Sequence, residues 1–287
     1  MHTHASLSAR IAAKIYGLSR IIYTRHCDFP ISSKFKYKFV RKINQILNEG
    51  LTDKIIATSE LAKENLIKQG IHDELIETVL NGVDGFSEIT IEEKNSLREK
   101  YNLSENDVTI GYLARVEELK GHKYLIEAAK IIKDRNLDKS LKFLIMGSGS
   151  YEETAKEMVK NLGLEDIVIF TGFVSEVEKM LNIVDVQINA SYLSETTNLA
   201  LLEGMSLGIP TVATKCGGTP KMITDFENGI LVEKANSKAL ADGIELILKD
   251  NEKFKIMQEK SKQIFNERYT SKVYAANIEK IYESMVK

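Results

Sequence analysis

Tryptophan is absent and cysteine occurs only twice, at Cys27 and Cys216, in a chain of 287 residues. Two thiols cannot build a disulfide framework or a zinc site, and no secretory leader pattern precedes them, so a reducing cytoplasm is the expected setting. No apolar run approaches the roughly 20 residues that a membrane-crossing helix needs, which excludes a helical membrane protein. An excess of one charge is missing too: 39 Lys and Arg face 41 Asp and Glu, and the net charge of −2 gives no global attraction to nucleic acid. There are no solenoid-type repeats and no low-complexity segments. The composition, 43% hydrophobic and 28% charged, is that of a globular chain too long for one ordinary core and suited to two α/β lobes.

From Asp107 onward, short β-branched runs alternate with helical patterns. "DVTIGYL", "KFLIMG", "IVIFTGF", "DVQINA", "IPTVAT" and "GILV" predict strands, each followed by a segment of helical length or by a turn. Such repetition predicts a parallel sheet covered on both faces, because parallel strands need crossover connections. Ahead of this complete Rossmann-like lobe, residues 20–24, 54–58 and 75–80 predict three strands, with helices near residues 7–13, 35–47 and 60–68. Three strands in about 85 residues are thin for an independent lobe, and the chain reads as if it begins in mid-domain. The turn "NGVDG" before acidic "EITIEEK" marks the boundary. The expected division is residues 1–86, residues 87–268, and a C-terminal helix at 269–287 that crosses back to the first lobe.

The stretch "SETTNLALLEGMSLGIPTVATKCGG" carries two acids, Glu195 and Glu203. A helix is predicted over residues 196–207, with Ser194, Thr196 and Thr197 able to cap it. A helix N-terminus offers unpaired N–H groups and partial positive charge to phosphate oxygens, and Glu203 would lie roughly 10 Å from Glu195 at 1.5 Å rise per residue. This spacing suits a nucleotide sugar, with its diphosphate at the helix start, its sugar by Glu195 and its ribose by Glu203. It equally suits a solvated helix on which Glu195 closes a capping motif and Glu203 pairs with a neighbour. Arg115 and Lys120 in "RVEELKG" follow the strand "VTIGYLA" at the edge where doubly wound sheets bind ligands. Two cations there suit a diphosphate, although either alone reads as a surface base with a packed stem. Gly147 and Gly149 in "MGSGS" permit a tight turn with close backbone approach.

Taken in order, "RVEELKGHKYLIEAA", "IMGSGSYEE", "IVIFTGF", the two-acid stretch and "NGILV" resemble the C-terminal lobe of family-4 retaining glycosyltransferases of the GT-B fold. "HTHASLSARIAAK", "IIYTRHC", "IIATSELAKENLIKQG" and "VLNGVDGF" are similar to the second half of that family's N-terminal lobe, so the resemblance covers essentially the whole chain. It implies an α/β fold of GT-B type, with a complete C-terminal and a partial N-terminal Rossmann-like lobe. It implies a catalytic group of Glu195 on the donor-sugar hydroxyls, His26 meeting the sugar from the opposite lobe, and Arg115 with Lys120 on the diphosphate. Glu203 would bind the ribose, backbone N–H groups around Thr197 and Asn198 the phosphate oxygens, and Phe173 would flank the base, with Gly147 in the donor-binding set.

The reaction so implied moves a hexosyl group from a UDP- or GDP-linked donor to a glycan or lipid-linked acceptor with retention, in cell-surface polysaccharide or lipopolysaccharide synthesis. No residue stands out as a covalent nucleophile, so a front-face, ion-pair-like displacement is implied, with the leaving phosphate as base. No paired aspartates follow a strand to hold a magnesium ion, and a metal is not expected to be required. The alternative is a truncated, non-catalytic nucleotide-sugar-binding remnant, or a subunit whose partner supplies the rest. Nothing in the chain matches the family's opening strands and glycine-rich loop, and Lys221 stands where an acid is frequent. A chain without those parts is expected to be a poor transferase by itself. Finally, "SSKFKYKFVRK" sets Lys34, Lys36, Lys38, Arg41 and Lys42 among Phe35, Tyr37 and Phe39. This is a solvated helix start or a peripheral contact with an anionic membrane on its inner, cytoplasmic face.

Overall fold

The computed structural model describes residues 2–4, 7–26, 36–137, 139–193 and 197–286, with backbone alone for 2–4 and 36–40. They fall into two compact units, one drawn from Met1–Gly82, Glu195–Thr197 and Ser271–Lys287, the other from Val83–Ser194 and Asn198–Thr270.

In the first unit β1 (His2–His4), α1 (Leu7–Ile15), β2 (Ile22–Arg25), α2 (Lys36–Leu51), β3 (Lys54–Ala57), α3 (Glu60–Lys68) and β4 (Ile76–Thr78) follow one another. The four strands form a parallel sheet in the order β1-β2-β3-β4, one more than the three predicted. Three residues are too few to show a period of two; β1 is defined by its register, His2 opposite Ile22 and His4 opposite Thr24. Alternation along β3 sorts the core. Ile55 and Ala57 join Tyr23, Ala62, Leu66 and Ile76 on one face. Ile56 joins Ile22 and Val79 on the other, together with Ile278 and Ile281 of the last helix. Ser59 starts α3 by accepting a hydrogen bond from the Ala62 N–H at 3.1 Å, which satisfies one of the helix's four orphan donors.

The second unit contains α4 (Ile91–Lys100), β5 (Val108–Leu113), α5 (His122–Arg135), β6 (Leu141–Met146), α6 (Glu152–Asn161), β7 (Val168–Gly172), α7 (Val177–Leu181) and β8 (Val186–Asn189). It continues with α8 (Leu199–Ser206), β9 (Thr211–Thr214), α9 (Thr219–Met222), β10 (Gly229–Val232), α10 (Ser237–Leu248) and α11 (Asn251–Arg268). The final helix, α12 (Ser271–Val286), belongs to the first unit. Thr90 opens α4 with a capping box, accepting from the Glu93 N–H while the Glu93 carboxylate accepts from the Thr90 N–H.

All six strands of this unit are parallel, in the order β7-β6-β5-β8-β9-β10. Both sheet faces are covered, which is why these strands read as continuous apolar runs. On β6, Phe143 and Ile145 pack with α5, α6 and α10, while Leu144 and Met146 pack on the other face with Met180 and Leu181 of α7. Each such buried side chain contributes on the order of 2 kcal/mol of transfer free energy. Among the described residues no helix is long and apolar enough to cross a membrane.

Candidate functional site

The strand order creates the site. From β5 the chain winds outward through β6 and β7; it then returns to β8 beside β5 and winds the other way. The loops leaving the C-terminal ends of β5 and β8 therefore diverge, and a crevice at such a switch point is where open parallel sheets bind ligands.

At this edge two glycines allow neighbouring strand exits to approach closely. Gly147, directly after β6, has φ +142°, and a Cβ there would stand 2.1 Å from the Ala114 carbonyl oxygen at the exit of β5. Gly121 has φ +72°, and its Cβ would stand 2.1 Å from the Ala190 oxygen at the exit of β8. Neither position admits a side chain, so the requirement for glycine here is backbone approach as well as left-handed geometry.

On this frame Arg115 lies two residues beyond β5, with its side chain 71% exposed and its guanidinium paired to Glu117 at 2.5 Å. Lys120 closes the 3-10 turn Glu118–Lys120, which Gly121 terminates. Phe173 follows β7 directly and is 79% exposed. Beyond β8, Asn198 is the N-cap of α8, its side chain accepting from the Leu201 N–H at 3.3 Å. This corrects the expected helix start at residue 196: α8 begins at Leu199, because Asn198 supplies the capping oxygen.

Glu203, on the same helix, is half-buried, and burial holds its carboxyl above the usual carboxylate range. Among the described residues no hydrogen-bond or ion-pair partner meets that carboxyl group. A half-buried carboxylate without a partner is costly, and hydroxyl donors from a ligand would satisfy it.

Thus Arg115, Lys120, Gly147 and Phe173 share the C-terminal edge of one sheet, and Asn198 and Glu203 stand on the helix that follows β8. Thr197 groups with the first unit, where its hydroxyl donates to the Thr58 carbonyl at 2.8 Å. His26, exposed, follows β2 of that unit. Glu195 lies outside the described residues, as do Lys34 and Phe35 and the side chains of Lys36 and Lys38. Arg41 donates to the Lys68 carbonyl, and the Lys42 ammonium donates to the Gln45 side chain at 3.2 Å.

The sequence pattern did not single out a buried polar layer behind the loops: Tyr112, His122, Asn189, Ser191, Thr214 and Thr219. The Asn189 amide donates to the Thr219 hydroxyl at 3.2 Å, and the Ser191 N–H donates to the Asn189 side-chain oxygen at 3.1 Å. Tyr112 sits at a strand position where any large apolar residue would serve, so its spacing carried no signal.

Residues 93–264 match the family described as Glycosyl transferases group 1, and residues 1–85 match Glycosyltransferase Family 4. The chain is similar to EpsD of Bacillus subtilis (strain 168), named as a glycosyltransferase, at 30% identity over 249 residues, covering 84% of this chain and 63% of that protein. It is also similar to the Escherichia coli UDP-Gal:alpha-D-GlcNAc-diphosphoundecaprenol alpha-1,3-galactosyltransferase, at 28% identity over 240 residues, covering 81% of this chain and 62% of that protein. The chain spans less than two thirds of the length of both. Among solved structures it resembles HepE of Anabaena in complex with UDP, with a TM-score of 0.86 at 22% identity, covering 97% of this chain and 76% of that one. That likeness shows the GT-B fold.

Proposed function

Because the chain belongs to the group 1 glycosyltransferases, with a first unit of the family-4 type, we propose that it binds a UDP- or GDP-linked sugar and takes part in transferring that sugar, with retention, to a glycan or lipid-linked acceptor. The observation that carries this reading is the set Arg115, Lys120 and Gly147 on the C-terminal edge at the switch point, with the Glu203 carboxyl on the helix after β8, half-buried and without a partner among the described residues. Two cations and a close-approaching backbone suit a diphosphate, and a lone carboxylate suits a ribose diol.

In the proposed step the bond from the anomeric carbon to the diphosphate oxygen breaks, and its electron pair stays on that oxygen. Arg115 and Lys120 stabilise the charge as it grows there, which is where preorganised charge lowers a barrier most. The acceptor oxygen bonds to the anomeric carbon from the same face, and its proton passes to the departing phosphate. Glu195 and His26 hold the sugar hydroxyls in this reading, Phe173 flanks the base, and Thr197 and Asn198 present N–H groups to the phosphates. With two side-chain cations on the diphosphate, no divalent metal is needed.

Calorimetry with UDP and with GDP, in the presence and absence of chelator, tests the donor half. One nucleotide is expected to bind with unchanged affinity in chelator. Failure of both to bind would overturn the reading, and a large loss on chelation would overturn the metal-independent part of it.

The kinship to a protein named for a diphosphoundecaprenol substrate supports a lipid-linked acceptor and, with it, a role in surface-glycan synthesis at the inner face of the membrane. The bases at 34, 36, 38, 41 and 42 would then contact anionic lipid weakly, at about 1 kcal/mol for each base near the surface. Co-sedimentation is expected with anionic vesicles at low salt and not with neutral ones; binding that ignores lipid charge and salt would return these bases to a solvated helix face.

A further inference from the structure

Tyr112 is 1% exposed within β5, and its ring lies 4.8 Å from the ring of His122, at the start of α5. Its hydroxyl donates to the Lys120 carbonyl at 2.6 Å and stands 3.4 Å from the Ser191 hydroxyl. Lys120 belongs to the loop after β5 and Ser191 to the loop after β8, so a single buried oxygen meets both sides of the switch point. Around it, the Tyr192 N–H donates to the Leu119 carbonyl at 3.3 Å. The Ser191 carbonyl in turn accepts from the Thr214 hydroxyl of β9. A phenylalanine would fill the same volume in the core. The hydroxyl, which phenylalanine lacks, ties the backbone of Lys120 to the strand below it, and a buried hydroxyl is retained at a cost unless it is satisfied.

We infer that Tyr112 is a positioning residue: through the Lys120 carbonyl it fixes the 3-10 turn Glu118–Lys120 so that the Lys120 ammonium is held for the diphosphate of the ligand. This rests on the proposed function, and it assigns Tyr112 no contact with the ligand itself. Lysine has a long, flexible stem, so its reach is set by where its backbone is anchored. Loss of the anchor therefore weakens the contact with phosphate without touching the contact with the base.

The test is a double-mutant cycle read by calorimetry, with UDP or GDP, whichever binds more tightly, and the matching nucleoside as probes. Tyr112→Phe is expected to weaken the nucleoside diphosphate about 10-fold and to leave the nucleoside unchanged. Lys120→Ala is expected to weaken the diphosphate at least as much, and the double variant to be no weaker than Lys120→Ala alone, since the two act through one contact. Wild-type affinity in Tyr112→Phe, an equal loss for nucleoside and diphosphate, or multiplying losses in the double variant would each overturn the inference. If Lys120→Ala itself leaves diphosphate affinity unchanged, the proposed function fails at that residue and the inference with it. Should Tyr112→Phe not fold, Ser191→Ala enters the same cycle, with a smaller loss confined to the diphosphate expected and the same outcomes overturning it.

Discussion

In a full-length version, Lys120→Ala and Glu195→Ala are each expected to lower donor turnover by about two to three orders of magnitude while the melting temperature stays near that of the wild type. The argument for Lys120 is electrostatic. Negative charge on the diphosphate grows as the sugar–oxygen bond breaks, and a cation anchored beside it interacts more strongly with the transition state than with the ground state. Removing one such preorganised contact typically costs about 3 kcal/mol of barrier stabilisation. Glu195, by its place in the two-acid stretch, is proposed to hold the sugar hydroxyls, a charge-assisted contact of comparable strength. Lys120 adds no apolar surface to the core: the hydrophobic clusters of the second unit do not include it, so its truncation should not unfold the unit. The measurement is release of nucleoside diphosphate from UDP- and GDP-sugars, with thermal melts of every variant. Near-wild-type turnover in either variant would sink its assignment; Lys120→Arg, which keeps the charge and changes its shape, is expected to fall between.

Acidification is expected to destabilise the protein through His122 by about 3 kcal/mol between pH 6.5 and 4. His122 is completely buried, and among the described residues its ring nitrogens form no well-aligned hydrogen bond, the Glu117 backbone offsetting its burial only in part. Burial pushes its pKa down from 6.5 to about 4. The folded state thus resists a proton that the unfolded chain accepts below pH 6.5. Stability from this group is complete above that pH and is lost as the pH falls through the window towards 4.

Glu203 and Asp185 act in the opposite sense. Burial raises both carboxyl pKa values, so these groups hold protons more firmly when folded and gain relative stability on acidification. The contrast between wild type and His122→Phe cancels them. Phe keeps the ring against Tyr112 and removes the poorly satisfied buried ring nitrogens, and a buried polar group without a full partner costs about 1–3 kcal/mol. His122→Phe is expected to equal or exceed wild-type stability at pH 7 and to have a flatter acid limb in urea unfolding. Parallel acid limbs for the two proteins would show that His122 does not titrate in this way.

Some of this was written into local sequence. The six strands of the second unit are legible because strands covered on both faces must be apolar at consecutive positions, and "KFLIMG" and "IVIFTGF" satisfy that requirement without help from distant residues. The glycine after "KFLIM" and the Arg115 to Lys120 spacing are legible for a related reason: tight turns and charged loop residues leave short-range marks. Asn198 shows where legibility ends. Ser194, Thr196, Thr197 and Asn198 are all competent caps, and sequence alone cannot say which oxygen meets the first helical N–H groups.

By itself, the sequence determined the alternation of strands and helices, the parallel character of the second sheet, and the residue types available to bind an anion, because each follows from side chains within a few positions of one another. Tertiary structure alone decided the rest. β1 exists because His2–His4 pairs with residues 22–24 of β2. The return of the last helix to the first lobe is expected from sequence, but that Ile278 and Ile281 of α12 are the residues that complete the apolar face of Ile22 and Ile56 was decided only by packing. Tyr112 matters beyond its bulk because a carbonyl eight residues later and a serine on the neighbouring strand's loop converge on its hydroxyl. Pairing, burial and convergence of this kind draw in residues far apart in the chain, such as Tyr112 and Ser191, which no short window of sequence contains together.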